Sequence, residues 1–330
     1  MAMNKILFFV DIYKWLISFI VFLTGGKVTI FFRFINVKRN DEPYYNADMI
    51  IFKHSKDLQS YLKNVKSDEV ASGFVPTMGA LHPGHLSLIE QCRKQTGLTI
   101  CSIFVNPVQF NNPEDFKKYP ITIEKDIAFL EEHGCDILFL PGEKEIYPDV
   151  DSATKHYDLG YLETILEGKY RPGHFQGVCL VVEKLLNIVN PDYLFIGRKD
   201  FQQCLVIKRL IEIMQEKVQI IICPILREAN GLAMSSRNLR LNAAEKKLAP
   251  ELYKSLQFIK ENLAPANFPQ LKKKVISGLE KNGFKIEYLE MAKMKDLHLV
   301  TKLKNRKELI VLIAAFLNEV RLIDNILIEE

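Results

Sequence analysis

The feature that most constrains the fold is an alternation, from Met49 onward, between short apolar runs rich in β-branched residues and longer stretches with helical periodicity. The runs at residues 70–75 and 99–105 are almost wholly apolar, as expected of strands that are covered on both faces. Between them, residues 84–96 place apolar side chains on one helical face. A strand, a helix and a second strand in this order predict a parallel sheet flanked by helices, which is an α/β fold.

The same reasoning assigns the rest of the chain. We predict helices over 122–132, 176–189 and 201–215 and strands over 137–140, 193–196 and 218–223. After Gly231 the pattern changes, and we predict a Lys-rich helix over 243–262, a second helix ending at Gly283 and an antiparallel sheet formed by 285–289, 308–314 and 320–328. We therefore expect one domain over residues 49–226 and a smaller α+β domain over 227–330.

Composition excludes several classes of protein. The chain has 330 residues, 48% of them hydrophobic and 25% charged, which is typical of globular domains and argues against disorder, a coiled coil or a polytopic membrane protein. A formal net charge of +4 is too small for a general nucleic-acid binder, although a local anion site remains open. The six cysteines form no C-x-x-C pair, so we expect buried thiols, no disulfide framework and no zinc site.

The N-terminus is unusually apolar over residues 6–24, but Asp11 and Lys14 interrupt it. The uncharged part, residues 15–24, is shorter than the roughly 20 residues that a spanning helix needs, and no small-residue cleavage site follows it. Three interpretations stay open, namely a membrane anchor, a mis-assigned start and an ordinary extension. We favour a mis-assigned start at Met49, with residues 1–48 an extension outside the functional domains. Membrane association is then not expected unless residues 1–48 are real and insert.

The first candidate site is the segment PTMGALHPGH at residues 76–85, where the first predicted strand ends and a helix begins. Ligands of open α/β sheets bind at the carboxyl ends of strands, and a helix N-terminus attracts phosphate. His82 and His85, with Gly84 between them, suit the close approach of a polyphosphate. A helix cap with incidental histidines and a metal site are the alternatives, although no carboxylate or cysteine partner is near in sequence.

The second candidate, FIGRKDFQQ at residues 195–203, lies at another strand-to-helix junction. Gly197 lets the backbone approach a ligand, and Lys199 supplies a positive charge for a phosphate. Asp200 either belongs to the site or simply caps the following helix. Gln203, one turn further on, faces either the cleft or solvent.

Two more polar segments complete the set. REANGLAMSSRN at 227–238 carries hydroxyls and an arginine at the domain junction, which suits a clamp on phosphate oxygens but also an ordinary polar linker. IFVNPVQF at 103–110 has amides that suit a small polar substrate, although Asn-Pro is also a turn former. All four segments fall at carboxyl ends of predicted strands or at the domain junction, so we expect them to converge on one cleft.

Together with YRPGHFQGV at residues 170–178, these segments closely resemble the pantoate–β-alanine ligase family. The resemblance runs from Met49 to Ile328. It implies a Rossmann-like, doubly wound fold of the nucleotidylyltransferase superfamily, in which HPGH and Met234-Ser-Ser-Arg237 stand for the HIGH and KMSKS signatures. It further implies a cytoplasmic homodimer that uses ATP and Mg²⁺, binds the small molecules pantoate and β-alanine, and binds no nucleic acid.

The resemblance also assigns residues. The ATP site would consist of Met78, Gly79, His82, Gly84, His85, Gly197, Lys199, Asp200, Leu226, Met234, Ser235, Ser236 and Arg237. The catalytic groups would be His82, His85, Lys199, Ser235, Ser236 and Arg237, with His85 in the position of the proton donor. Gln109 and Gln203 match the residues that hold pantoate, and Gln109 also lies beside the β-alanine position.

Two positions depart from the family pattern. Arg198 stands where relatives commonly have Glu, so this position cannot supply a carboxylate. Asp126 matches an acidic stretch where some relatives bind magnesium, but it follows Lys125. Asp126 is therefore the one candidate metal ligand, and we expect Mg²⁺ to be carried mainly by the triphosphate.

The activity implied is the ATP-dependent ligation of pantoate and β-alanine to pantothenate, a step of coenzyme A synthesis, through a pantoyl adenylate. The alternatives are another nucleotidylyltransferase of the same superfamily and a membrane-tethered nucleotide-binding regulator.

Overall fold

A computed structural model describes residues 6–12, 15–24, 27–35, 49–66, 70–148, 155–302 and 306–329. The chain divides into two compact units, Met1–Ile50 and Ile51–Glu330. In the first unit, β1 (Ile6–Ile12), β2 (Trp15–Thr24) and β3 (Lys27–Ile35) form an antiparallel sheet in that order. Across the described residues, the structure contains no helix with the length and apolarity needed to span a membrane. The start-site interpretation for residues 1–48 stays a prediction.

The second unit is built on a six-stranded sheet with strand order β4-β7-β6-β5-β8-β9. Its strands are β4 (Ile50–Phe52), β5 (Ser72–Thr77), β6 (Leu98–Ile103), β7 (Ile137–Phe139), β8 (Tyr193–Gly197) and β9 (Gln219–Cys223). The pairings from β5 to β9 are all parallel. The predicted Rossmann-like class is confirmed. The chain leaves β5 toward β6 and β7 on one side and returns to β8 and β9 on the other, which creates a switch-point crevice between β5 and β8.

Helices cover the sheet and connect its strands. They are α1 (Ser55–Val65), α2 (Pro83–Gln95), α3 (Pro113–Lys117), α4 (Ile123–Glu132), α5 (Glu143–Ile146), α6 (Leu166–Tyr170), α7 (His174–Val189) and α8 (Phe201–Met214). The helices predicted over 84–96, 122–132, 176–189 and 201–215 are found within about two residues of their expected ends, whereas α1, β4 and the short helices α3, α5 and α6 were not predicted. All six cysteines lie in described segments, and each is an unpaired, buried thiol, as expected.

The C-terminal part contains α9 (Ala243–Leu248), α10 (Glu251–Asn262), α11 (Phe268–Lys281) and the antiparallel strands β10 (Phe284–Lys293), β11 (Leu309–Leu317) and β12 (Val320–Leu327). The single helix predicted over 243–262 is wrong, because Pro250 separates α9 from α10. Proline lacks the N–H that a helix interior needs, and its ring clashes with the preceding turn.

The C-terminal sheet is covered on both faces. One face packs against α10 and α11 and forms with them a hydrophobic core, whose residues come from the sequence between Leu232 and Ile328. The opposite face packs on residues of α6 and α8. This double coverage explains why β11 is apolar at every position. The division of Ile51–Glu330 into domains at residues 226 and 227 stays a prediction, supported by the separate core of the C-terminal part.

Candidate active site

The four polar segments meet at the carboxyl ends of β5 and β8, around a cavity of about 220 Å³. The cavity is lined by Met78, His82, Gly84, His85, Gln109, Gly197, Lys199, Asp200, Gln203, Leu226, Met234, Ser235, Ser236 and Arg237. Every residue predicted for the ATP site lines it except Gly79, and both glutamines predicted to hold pantoate also line it. A neighbouring cavity of about 430 Å³ shares Lys199, Asp200, Ser235 and Arg237.

The two histidines lie at the start of α2 with their ring centroids 4.0 Å apart. The backbone N–H of His82 points to Nδ1 of His85 at 3.4 Å, so the neutral His85 ring carries its proton on Nε2. Burial, reinforced by the Lys199 charge, lowers the pKa of His82 to about 4. Burial and His82 hold the pKa of His85 well below its ordinary value. Both rings are therefore neutral hydrogen-bond donors at neutral pH. Gly84 is needed here because a Cβ would lie 2.9 Å from the His82 ring.

The loop before α2 is held by Asp126 of α4. One carboxylate oxygen accepts the Ala80 N–H and the other accepts the Leu81 N–H, both at 2.8 Å. The Thr122 hydroxyl donates a third hydrogen bond at 3.0 Å. Among the described residues, no group of three or more His, Cys, Asp or Glu side chains is placed to hold a metal ion. Both Asp126 oxygens are thus engaged in shaping the loop before α2, and the assignment of Asp126 as a metal ligand stays a prediction.

Gln109 lies in a single turn of 3-10 helix, Pro107–Gln109, that follows β6. Its Oε1 accepts a hydrogen bond from Nδ2 of Asn106 at 3.1 Å, and its Nε2 donates to the Met78 sulfur at 3.0 Å. Asn106 is itself held by Tyr147, whose hydroxyl donates to Oδ1 at 2.8 Å. Because Oε1 and one N–H of Nε2 are engaged, the Gln109 side chain, which lines the cavity, keeps one N–H that suits a carboxylate or hydroxyl oxygen.

Lys199 lies in the turn between β8 and α8, and its Nζ lies 3.1 Å from a carboxylate oxygen of Asp200. Asp200 stands at the N-cap of α8, as the capping interpretation expects, but within the described residues its side chain makes no capping hydrogen bond to the helix. The turn is fixed from the C-terminal sheet, because Nδ2 of Asn325 donates to the carbonyls of Arg198 at 2.9 Å and of Lys199 at 3.0 Å. A Cβ at Gly197 would meet no atom within 4 Å, which leaves the backbone there open to the cavity.

The Ser-Ser-Arg segment docks directly on the loop before α2. The Ser236 hydroxyl donates to the Ala80 carbonyl at 3.1 Å, which joins two sequence-distant motifs. Arg237 donates to one carboxylate oxygen of Asp115 at 2.8 Å, and Arg240 donates to the other at 2.6 Å. Burial disfavours the charge on Asp115, but the two arginines outweigh it and lower the pKa of this carboxyl. Arg237 thus lies at the cleft, and the carboxylate of Asp115 in α3 balances its charge.

Several residues of the site were not predicted from the sequence. Asp115, Asn106 and Asn325 touch the site candidates, and none of them had been assigned this supporting role. Asn106 stood inside a segment already singled out, whereas Asn325 lies over a hundred residues from the turn that it binds. His174 belongs to a segment that carried the family resemblance, but its contact could not be derived from spacing.

This fold and this site place the chain in the class of α/β enzymes with a polar cavity at the switch point of a parallel sheet, the position at which such folds commonly take a nucleotide. The model of the Pantoate-beta-alanine ligase family matches residues 50–327. The chain is 44% identical over 283 residues to the pantothenate synthetase of Cytophaga hutchinsonii, covering 85% of this chain and 99% of that protein. It is 40% identical over 276 residues to the pantothenate synthetase of Bacteroides thetaiotaomicron, covering 83% and 97%. The chain belongs to the pantoate–β-alanine ligase family.

Solved structures agree with this assignment. Pantothenate synthetase from Thermus thermophilus superposes with a TM-score of 0.78 at 35% identity, covering 86% of this chain and 100% of that one. Pantoate-beta-alanine ligase from Francisella tularensis, described as complexed with beta-gamma ATP and beta-alanine, superposes with a TM-score of 0.72 at 38% identity, covering 86% and 99%. The family match begins one residue after Met49, so residues 1–48 lie outside it.

Proposed function

We propose that the chain joins pantoate to β-alanine with ATP, through a pantoyl adenylate, and releases AMP and pyrophosphate. The observation that carries this proposal is the convergence of both histidines, Lys199, the Ser-Ser-Arg segment and the two glutamines on one cavity. Membership of the family and the ligands named for the Francisella relative support it.

The chemistry requires activation of the acid. A carboxylate is a poor electrophile and its oxygen is a poor leaving group, so an amine does not displace it directly. In the proposed first step, a carboxylate oxygen of pantoate attacks the α-phosphorus of ATP, and the bond to the pyrophosphate oxygen breaks. Negative charge then spreads over the α-phosphate and the pyrophosphate, so hydrogen-bond donors and cations matter more than a base.

The residues at the cavity are of the types that this step needs. Lys199 and Arg237 would neutralise charge on the departing pyrophosphate, and the Ser235 hydroxyl would donate to its oxygens. The Ser236 hydroxyl, which donates to the Ala80 carbonyl, would hold the Ser-Ser-Arg segment in place. His85, with its proton on Nε2, would donate a hydrogen bond rather than act as a cation. A bound polyphosphate would raise the pKa of both rings, since nearby negative charge favours the protonated form. The adjoining cavity offers space for the pyrophosphate.

In the proposed second step, the amine of β-alanine attacks the acyl carbon of the adenylate and expels AMP. The amine must be neutral to attack, and the nitrogen of the resulting adduct loses one proton to solvent as the acyl C–O bond breaks and AMP departs. Gln109 and Gln203 would hold pantoate by donating hydrogen bonds to its oxygens. Held in this way, the acid would be oriented toward the α-phosphate.

Mg²⁺ would enter with the nucleotide. The described residues offer no ready-made cluster of metal ligands, and Asp126 is engaged with the backbone. Mg²⁺ binds readily to phosphate oxygens and keeps several waters, so the triphosphate can carry it without a protein cage. When bound, the ion supplies charge neutralisation on the phosphates.

We further propose, from the family resemblance, that the enzyme is a cytoplasmic homodimer whose partners are these small molecules. Light scattering of the purified chain tests the dimer, and fractionation of cells tests the location. A monomer at micromolar concentration would contradict the homodimer. Recovery of the chain with membranes would contradict the cytoplasmic location.

The function is tested by measuring AMP release with and without each substrate. We expect AMP only when ATP, pantoate and β-alanine are all present, together with incorporation of labelled β-alanine into pantothenate. Release of pyrophosphate with a dinucleotide product, and no requirement for β-alanine, would indicate another nucleotidylyltransferase.

The residue roles are tested separately by ATP–pyrophosphate exchange in the presence of pantoate. We expect Lys199→Ala and His85→Ala to fold normally and to lose at least about two orders of magnitude in exchange, as on removal of an oxyanion-type stabiliser. Gln109→Ala should instead raise the KM for pantoate much more than the KM for ATP. Near-normal exchange in the first two variants would refute their roles, and equal changes in both KM values would refute that of Gln109.

A further inference from the structure

The backbone of Gln109 is in close contact with the first turn of α7. The Nδ1 atom of His174 lies 2.8 Å from the carbonyl oxygen of Gln109. One turn later on the same helical face, Gly177 approaches so closely that a Cβ would lie 2.7 Å from the backbone N and Cα of Gln109. The carbonyl of Gly177 also accepts a hydrogen bond from Nδ2 of Asn106 at 3.0 Å. The turn that carries Gln109 is thus held at its backbone as well as at its side chain.

The hydrogen bonds of His174 determine which nitrogen carries its proton. The Gln109 carbonyl can only accept, so Nδ1 must be the protonated nitrogen. On the other side of the ring, a guanidinium nitrogen of Arg171 lies 2.9 Å from Nε2 and can only donate. Burial and the Arg171 charge lower the pKa of His174 to about 3, so the ring stays neutral across the working range of pH. The imidazole is locked in one tautomer that donates to Gln109.

Arg171 is held in turn by a buried network that reaches the C-terminal sheet. Its guanidinium lies 3.5 Å from a carboxylate oxygen of Glu167. Arg321 of β12 donates to both oxygens of Glu167 at 2.9 and 2.7 Å, and the Tyr288 hydroxyl of β10 donates at 2.7 Å. These groups fix the guanidinium that selects the His174 tautomer.

We propose that His174 is a positioning residue for pantoate, which acts by fixing the Gln109 turn through its Nδ1–H. The proposal rests on the proposed role of Gln109 as a pantoate ligand. The physical reason is that the Gln109 side chain reaches the cleft from a short 3-10 turn. A small displacement of the backbone of this turn therefore moves the side-chain amide away from the substrate oxygen. Loss of the bond would also leave a buried carbonyl unsatisfied, which the turn relieves by shifting toward water.

Three substitutions separate the two nitrogens of the ring. His174→Asn places an amide N–H near the position of Nδ1 and preserves the bond to Gln109. His174→Gln reaches the position of Nε2 and preserves only the contact with Arg171. His174→Phe keeps an aromatic ring and removes both bonds. His133→Asn is the matched control, because Nδ1 of His133 lies 2.8 Å from the Phe129 carbonyl on α4, outside the residues that line the cavity.

The readout is the KM for pantoate, the KM for ATP and kcat for each folded variant, with thermal melting as a check of the fold. We expect His174→Gln and His174→Phe to raise the KM for pantoate about tenfold while changing the KM for ATP less than about twofold, the effect of one buried hydrogen bond. His174→Asn should restore the KM for pantoate to within about threefold of the parent enzyme. His133→Asn should change none of the three constants.

The outcomes separate the positioning role from the proposed function. If His174→Gln and His174→Phe lower only the melting temperature, or change both KM values equally, His174 is structural and the proposal is overturned. If His174→Asn is as impaired as His174→Phe, donation from Nδ1 is not what matters, and the proposal is also overturned. If Gln109→Ala leaves the KM for pantoate unchanged while pantothenate is still formed, the proposed role of Gln109 fails, and the positioning proposal fails with it. If the parent enzyme forms no pantothenate, the proposed function itself is wrong.

Discussion

Replacement of Glu167 by Gln tests whether the buried network contributes to stability through its charge. Glu167 is 7% exposed and accepts hydrogen bonds from Arg321 and Tyr288. Burial alone would raise its pKa, but Arg321 and then Arg171 outweigh burial and lower the pKa from the ordinary 4.5 to about 2. At 1.36 kcal/mol per pKa unit, this difference corresponds to about 3 kcal/mol of stability at neutral pH.

The sign of the pH dependence follows from the direction of the shift. A carboxyl whose pKa is lower in the folded state stabilises the fold above its ordinary pKa of 4.5, and this contribution is lost as pH falls toward about 2. Glu167→Gln resembles the protonated group at every pH. The difference in unfolding free energy between parent and variant should therefore be about 3 kcal/mol at about pH 7 and should fall to about 1 kcal/mol at about pH 3.

The assay is urea unfolding of both proteins at several pH values. With a slope of about 3 kcal/mol per molar, the variant should unfold at a midpoint about 1 M lower at about pH 7. Glu114→Gln is the control, because this side chain is 63% exposed and pairs with Lys117 on the surface, so its substitution should change stability by less than about 0.5 kcal/mol. A Glu167→Gln midpoint that matches the parent, or a difference independent of pH, would refute the reasoning.

Two further substitutions test how the catalytic loops are held. Asn325→Ala removes both hydrogen bonds to the Lys199 turn. We therefore expect kcat to fall about tenfold, while circular dichroism shows that the fold is retained. An unchanged kcat would show that the turn is fixed without Asn325. Asp126→Asn leaves at most one good acceptor for the N–H groups of Ala80 and Leu81, so the KM for ATP should rise several-fold, while the Mg²⁺ concentration for half-maximal rate stays the same. A large increase in the Mg²⁺ requirement would instead show that Asp126 binds the metal.

The sequence predicted the parallel sheet well because its strands are buried on both faces, and their apolar runs stand out against the polar turns. The prediction of secondary structure failed where one local signal, such as a proline, opposes the hydrophobic pattern around it. Residues 243–262 have a continuous helical pattern, but Pro250 interrupts the hydrogen bonds and splits the helix in two. Helix α1 was missed because it buries only Leu58 and Leu62.

The site was predictable where its residues follow strands and unpredictable where contacts cross the fold. The carboxyl ends of β5, β6 and β8 meet at one edge of the sheet, which explains why the candidates for the phosphate and pantoate sites line the same cavity. The supporting contacts depend on tertiary packing instead. Spacing along the chain gives no indication that Asn325 reaches Lys199 or that His174 reaches Gln109.

The central claim is that a carboxylate oxygen of pantoate attacks the α-phosphorus at this cavity. Pantoate labelled with ¹⁸O in both carboxylate oxygens tests it directly when the AMP product is analysed by mass spectrometry. Attack on the α-phosphorus, followed by cleavage of the acyl C–O bond by the amine, leaves one labelled oxygen in AMP and one in the amide of pantothenate. We predict one ¹⁸O atom per AMP formed, and AMP free of label would contradict the account.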